Sequence, residues 1–180
     1  MLGKDVNFRQ IYRHLVAVKD EKIIDDLKNH FKESFCFPKE SDSILTFCYI
    51  DHDAGLTFDF LCPYNLKEKK YYEIKNKNFR QMYRSGCFDE CEIEIISNEI
   101  LTSNELWDYI ENMLLKTYEY DQDLIKTRMV KDIDHLREKN FPDDILVIIY
   151  KEGLNPEKLW VRLLKIDNAI ELPGIPKINL

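Results

Sequence analysis

Ser43-Ile-Leu-Thr-Phe-Cys-Tyr-Ile-Asp-His-Asp-Ala-Gly-Leu-Thr-Phe-Asp-Phe-Leu61 is the stretch whose reading decides the fold of this chain. Two runs rich in β-branched and aromatic residues, Ser43 to Ile50 and Leu56 to Leu61, flank the turn-like Asp51-His-Asp-Ala-Gly55. The pattern predicts a β-hairpin in which Gly55 takes the positive φ that a residue with a Cβ adopts only at a cost. Pro63, with no N–H to give a ladder, is read as the end of the second strand.

Working outward, Lys70 to Lys75 predicts a third strand, with Tyr72 and Ile74 on one face and Tyr71, Glu73 and Lys75 on the other. Glu90 to Ile96 predicts a fourth, with Cys91, Ile93 and Ile95 together on an apolar face. The uninterrupted apolar run Ile145 to Tyr150 reads as a central strand, pairing antiparallel with Leu159 to Ile166 across a loop holding Gly153 and Pro156.

Helical spacing of Ile23, Ile24, Leu27 and Phe31 predicts a helix over 20–34 that Pro38 stops, preceded by another near 6–18. A short helix is read from Phe79 to Arg84, ending at Gly86. Thr102-Ser-Asn-Glu105 has the capping-box pattern ahead of Leu106, Trp107, Ile110 and Leu114, with either Thr102 or Ser103 as the cap. Leu124, Ile125, Met129, Ile133 and Leu136 predict a long helix that Pro142 closes. The order predicts one α+β domain over 1–180, a mainly antiparallel or mixed sheet of about six strands with four to five helices, one sheet face left to water. Pro173-Gly-Ile-Pro176 makes 167–180 an irregular C-terminal segment.

At 180 residues and 44% hydrophobic, the chain can bury one core of ordinary size. Its 33 acidic against 26 basic residues give a net charge of -7, which repels phosphate backbones and favours a protein partner with a basic surface over nucleic acid. No apolar run approaches the roughly 20 residues that span a bilayer, so no membrane partner is expected. Met1-Leu-Gly-Lys-Asp5 opens without a secretory core, and an odd set of scattered cysteines, Cys36, Cys48, Cys62, Cys87 and Cys91, suits reduced thiols; both predict a cytoplasmic protein. Cys36, Cys48 and Cys62 sit beside Phe35, Phe47 and Leu61 in core-like settings, and Cys91 lies on an apolar strand face. Cys87 and Cys91 are four apart, but no second tight pair completes a metal site.

The sharpest chemical pattern is Asp59 on the second strand and Glu73-Ile74-Lys75 on the third. Adjacent strands can bring two carboxylates and an ammonium together to hold Mg²⁺ or Mn²⁺ and stabilise charge at a phosphate. Over residues 20 to 96 the element order and the Asp...Glu-x-Lys spacing resemble restriction-endonuclease-like nucleases. That resemblance implies Asp59, Glu73 and Lys75 as metal and catalytic positions, with Glu21 or Glu33 as a further carboxylate. Phe58 stands where that family usually carries proline. The same alternation also fits residues on the solvated face of a one-sided sheet.

No Gly-rich phosphate loop can be assembled, and none of His14, His30, His52 or His135 falls in a nucleophile-base motif. Lys67-Glu-Lys-Lys-Tyr-Tyr72 reads as charge protecting a sheet edge. The leading expectation is therefore a non-enzymatic, cofactor-free, acidic protein-binding module. Small acidic domains of this composition are similar to inhibitor and immunity proteins of bacterial or phage conflict systems. Asp89, Glu90, Glu92 and Glu94 would form the docking surface, with Tyr64, Tyr71 and Trp160 as aromatic anchors. The alternatives are the metal-dependent nuclease and a regulatory domain for a small ligand or for self-association; oligomeric state is not legible.

Overall fold

A computed structural model describes residues 1–75 and 78–166. The expected hairpin is its spine: β2 (Ser43–Asp51) and β3 (Gly55–Asn65) pair antiparallel, and Gly55 turns with φ 76°. With β1 (Leu15–Lys19), β4 (Lys70–Tyr71), β5 (Met82–Arg84) and β6 (Glu92–Ile96) they make one antiparallel sheet in the order β4-β3-β2-β1-β6, with β5 also on β3. A second sheet consists of β7 (Asp144–Ile149) and β8 (Glu157–Arg162). The α+β class is as expected.

The main sheet is covered on both faces, not one. Val16, Val18, Cys48, Phe58 and Phe60 meet α2 (Glu21–His30), which Asp20 caps through the Ile23 N–H. Leu15, Ala17, Phe47, Tyr49 and Leu61 meet a second helical run. That run is α3 (Asn104–Asp108), a π-helical stretch Tyr109–Leu115 and α4 (Lys116–Tyr118), capped by Ser103. This explains why β2 and β3 are apolar on both sides.

Several expectations are corrected. The helix near 6–18 is a single turn, α1 (Phe8–Ile11), followed by β1; Leu15-Val-Ala-Val18 is fully buried in mid-sheet, where β-branched residues fit a pleated surface. Pro63 does not end β3. Its carbonyl accepts from the Tyr72 N–H toward the two-residue β4, so its missing N–H also faces that ragged edge and costs the β2 ladder nothing. The predicted third strand shrinks to Lys70–Tyr71 for the same reason.

Phe79 to Arg84 is not helical: Met82–Arg84 pairs with Thr57–Asp59, supplying the ladder that β3 would otherwise lack there. The long helix ends early, as α5 (Gln122–Met129), because arginines take the carbonyls it releases; Arg137 Nη2 donates to Thr127 O (2.6 Å) and Arg9 Nη2 to Val130 O (3.0 Å). Ile145 to Tyr150 is strand up to Ile149 but not central; β8 is its one strand partner among the described residues, in the antiparallel sense expected, and a single bridge from Ile145 to Arg137 occupies its other edge. Cys36 is exposed, whereas Cys48, Cys62 and Cys91 are buried. The expected irregular segment 167–180 lies outside the described residues. Among the described residues no helix is long and apolar enough to cross a membrane.

Candidate functional site

The Asp59 carboxylate is buried and already engaged. Arg80 Nε donates to its Oδ2 (2.7 Å) and the Tyr109 hydroxyl to its Oδ1 (2.8 Å), while Arg80 also reaches the Tyr49 hydroxyl (2.9 Å) and the Tyr118 hydroxyl (3.1 Å). Burial, and then the Asp59 charge, push the Tyr49 and Tyr109 hydroxyls well above the ordinary phenol range, so both stay protonated and able to donate. Tyr109 opens the π-helical stretch, whose wider turn accompanies the contact between that helix and Asp59. Arg80 and Tyr109 do not stand out in the sequence because no local pattern links them to residue 59.

Glu73 and Lys75 lie elsewhere, along a surface recess of about 360 Å³ with Ser103, Asn104 and Glu105. Glu73 accepts there from the Ser103 hydroxyl (2.6 Å). Among the described residues, no three His, Cys, Asp or Glu side chains stand close enough to share a metal ion.

The acidic tract is exposed in part. Glu92 and Glu94 project from β6, Glu90 pairs with Lys4 (3.0 Å) and Asp89 with Lys139 (3.1 Å). Tyr64 is buried in the core and offers no open ring, while Tyr71 is half-buried with its hydroxyl bonded to the Thr102 hydroxyl (2.8 Å). Trp160 does: it is 54% exposed on β8.

Around Trp160 the β7–β8 hairpin presents apolar side chains on both faces. Cross-strand partners share a face, which places Trp160 with Leu146 and Ile148 on one side, and Leu159 and Val161 with Val147 and Ile149 on the other. Ile148 is 61% and Leu159 42% exposed, an arrangement that buried strands avoid and binding surfaces use.

The root of this hairpin is firmly held. Arg128, only 1% exposed, makes a bidentate pair with Asp143 (2.8 and 2.7 Å) immediately before β7. Arg162 bonds Asp144 (2.8 Å) and the His52 carbonyl in the β2–β3 turn. The Leu56 N–H donates to the Asn140 carbonyl (2.7 Å), and any Cβ at Gly55 would overlap that same oxygen. Gly55 thus serves the turn and the docking of 137–143 at once.

The signal that could have set β7 and β8 apart lies in strand accounting. A strand apolar on both faces needs a layer packed over each face, yet Ile148, Leu159 and Trp160 stay exposed; among the described residues the outer edge of β7 meets only Arg137 and Glu138, through a bridge to Ile145 and a bond from the Glu138 N–H to the Asp144 carbonyl (2.9 Å). The chain as a whole matches no protein-family model, no curated protein and no solved structure.

Proposed function

We propose that this chain is a protein-binding module whose contact element is the β7–β8 hairpin, with Trp160 as its anchor. The observation that carries the reading is a two-faced apolar hairpin, braced at its root by a buried ion pair and left in water from Ile148 through Val161. A two-stranded hairpin is marginal by itself, so the bracing of its root points to use of its tip and edge. Buried aromatic anchors dominate binding energy when a partner closes over them.

The exposed Glu92 and Glu94 and the net charge of -7 fit a secondary role, steering a basic-faced partner toward the module. An inhibitor or immunity-type action would follow if that partner is a toxin or an enzyme. The test compares Trp160→Ser and Ile148→Thr with Tyr120→Ser, an exposed tyrosine on another part of the chain. A protein retained stoichiometrically by the wild type and by Tyr120→Ser, and lost from both hairpin variants, supports the reading. Retention by folded hairpin variants overturns it.

A further inference from the structure

The outer edge of β8 has a geometry that selects its occupant, an inference that rests on the hairpin being a contact element. Leu163 N–H donates to the Asp143 carbonyl (2.8 Å), which fixes the alternation along β8. Backbone groups of residues 157, 159 and 161 turn toward β7, and those of Lys158, Trp160 and Arg162 turn outward. Among the described residues no strand pairs with that outward edge.

We propose that a second copy of this chain pairs antiparallel with β8 about a two-fold axis at Leu159. A two-fold axis perpendicular to a sheet keeps each side chain on its own face, so the axis must pass through a residue and its own copy. Two such registers overlap most of the strand, one centred on Leu159 and one on Trp160. The second sets Lys158 opposite Arg162 twice, a like-charge pairing that opposes assembly.

The register on Leu159 instead sets Lys158 opposite Trp160 of the other copy, a cation facing an indole, and does so twice by symmetry. The outward N–H and C=O groups of Lys158 and Trp160 then satisfy each other, and Arg162 N–H meets the Pro156 carbonyl. Pro156, with no N–H to donate, ends the ladder there. On the other face, Leu159 meets its own copy beside Val147 and Val161, joining two small apolar faces into one four-stranded sheet.

Leu159 faces its copy as a non-hydrogen-bonded pair, with Cα atoms about 4.5 Å apart, close enough for a disulfide. In a protein carrying Cys36→Ser and Cys87→Ser, which removes the exposed thiols, mild oxidation of Leu159→Cys is expected to give a covalent dimer. Lys158→Cys and Val161→Cys, displaced from the axis, are expected to cross-link at least about tenfold more slowly. Sedimentation of the wild-type full chain is expected to show a concentration-dependent dimer, and Leu159→Lys to weaken it at least about tenfold.

A wild-type chain that stays monomeric to millimolar concentration overturns the proposal, whether the edge is then taken by residues 167–180 or by another protein. So do equal cross-linking rates at all three positions, or a dimer indifferent to Leu159→Lys. The hairpin reading itself fails only if Trp160→Ser and Ile148→Thr leave partner retention intact, so the two failures are separable.

Discussion

Removing the Asp143 carboxylate should be among the most damaging single changes in the chain. Arg128 is 1% exposed, both of its bonds to Asp143 are shorter than 3 Å, and the other carboxylate close to it is Glu119, at 3.8 Å. Asp143→Ala leaves a guanidinium buried and half-compensated, and stranding one partner of a buried pair costs about 3–5 kcal/mol. Glu119 recovers part of this, so a loss of about 3 kcal/mol is expected, a large share of the roughly 5–15 kcal/mol that holds a typical domain. With a urea m-value of about 2 kcal/mol/M, the unfolding midpoint should fall by about 1.5 M with the slope unchanged. The double replacement Arg128→Met with Asp143→Leu, which removes both charges and keeps the volume, should restore most of the loss. A drop below about 1 kcal/mol for Asp143→Ala, or a double variant as unstable as the single, would refute the assignment of this pair as the brace of the hairpin root.

Gly55→Ala should cost about 2 kcal/mol or more in the same assay, because it combines a left-handed backbone with overlap on the Asn140 carbonyl. Native thiol labelling should modify two of the five cysteines quickly, the exposed Cys36 and Cys87. Cys91 should resist, since burial, then the nearby Asp20, push its thiol up to about 11, and denaturation should expose all five. Burial alone would raise the Asp134 carboxyl, but the Arg9 guanidinium bonded to it, with Arg137 behind, holds it below the ordinary aspartate range. A depressed carboxyl stabilises the fold above its unfolded value, about 3.9, and loses that contribution as pH falls through its folded value. Asp134→Asn should therefore be less stable than wild type at pH 7 and show a flatter acid limb in pH-dependent melting.

How far the sequence can be read depends on whether structure is set locally. The β2–β3 hairpin, the α2 periodicity and the Ser103 cap are encoded within a few residues of themselves, and each appears, although α2 ends at His30, well before Pro38 and four residues short of the expected 34. Leu15-Val-Ala-Val18 and Met82-Tyr-Arg84 are strands only because β2, β6 and β3 stand ready to pair with them, which no local window contains. Asp59 stands out in the sequence for its alternation with Phe58 and Phe60, yet its partners Arg80 and Tyr109 are 21 and 50 residues away. Trp160 stands out as an aromatic anchor, but its strand reads locally as the partner of a core strand. Its exposure goes with β7 and β8 forming a two-stranded sheet apart from the main one, a property of the whole strand inventory.

Trp160 itself reports most directly on whether the hairpin is a contact surface. Replacing the half-buried Trp107 by phenylalanine leaves Trp160 as the sole indole, since the chain has only two. Its emission maximum is then followed as the full-length protein is concentrated from nanomolar to high micromolar. The expected result is a water-like emission when dilute that shifts to shorter wavelength along the same curve as dimer formation, and that Leu159→Lys abolishes. Emission that stays water-like at every concentration, with and without a retained partner protein, would contradict the account.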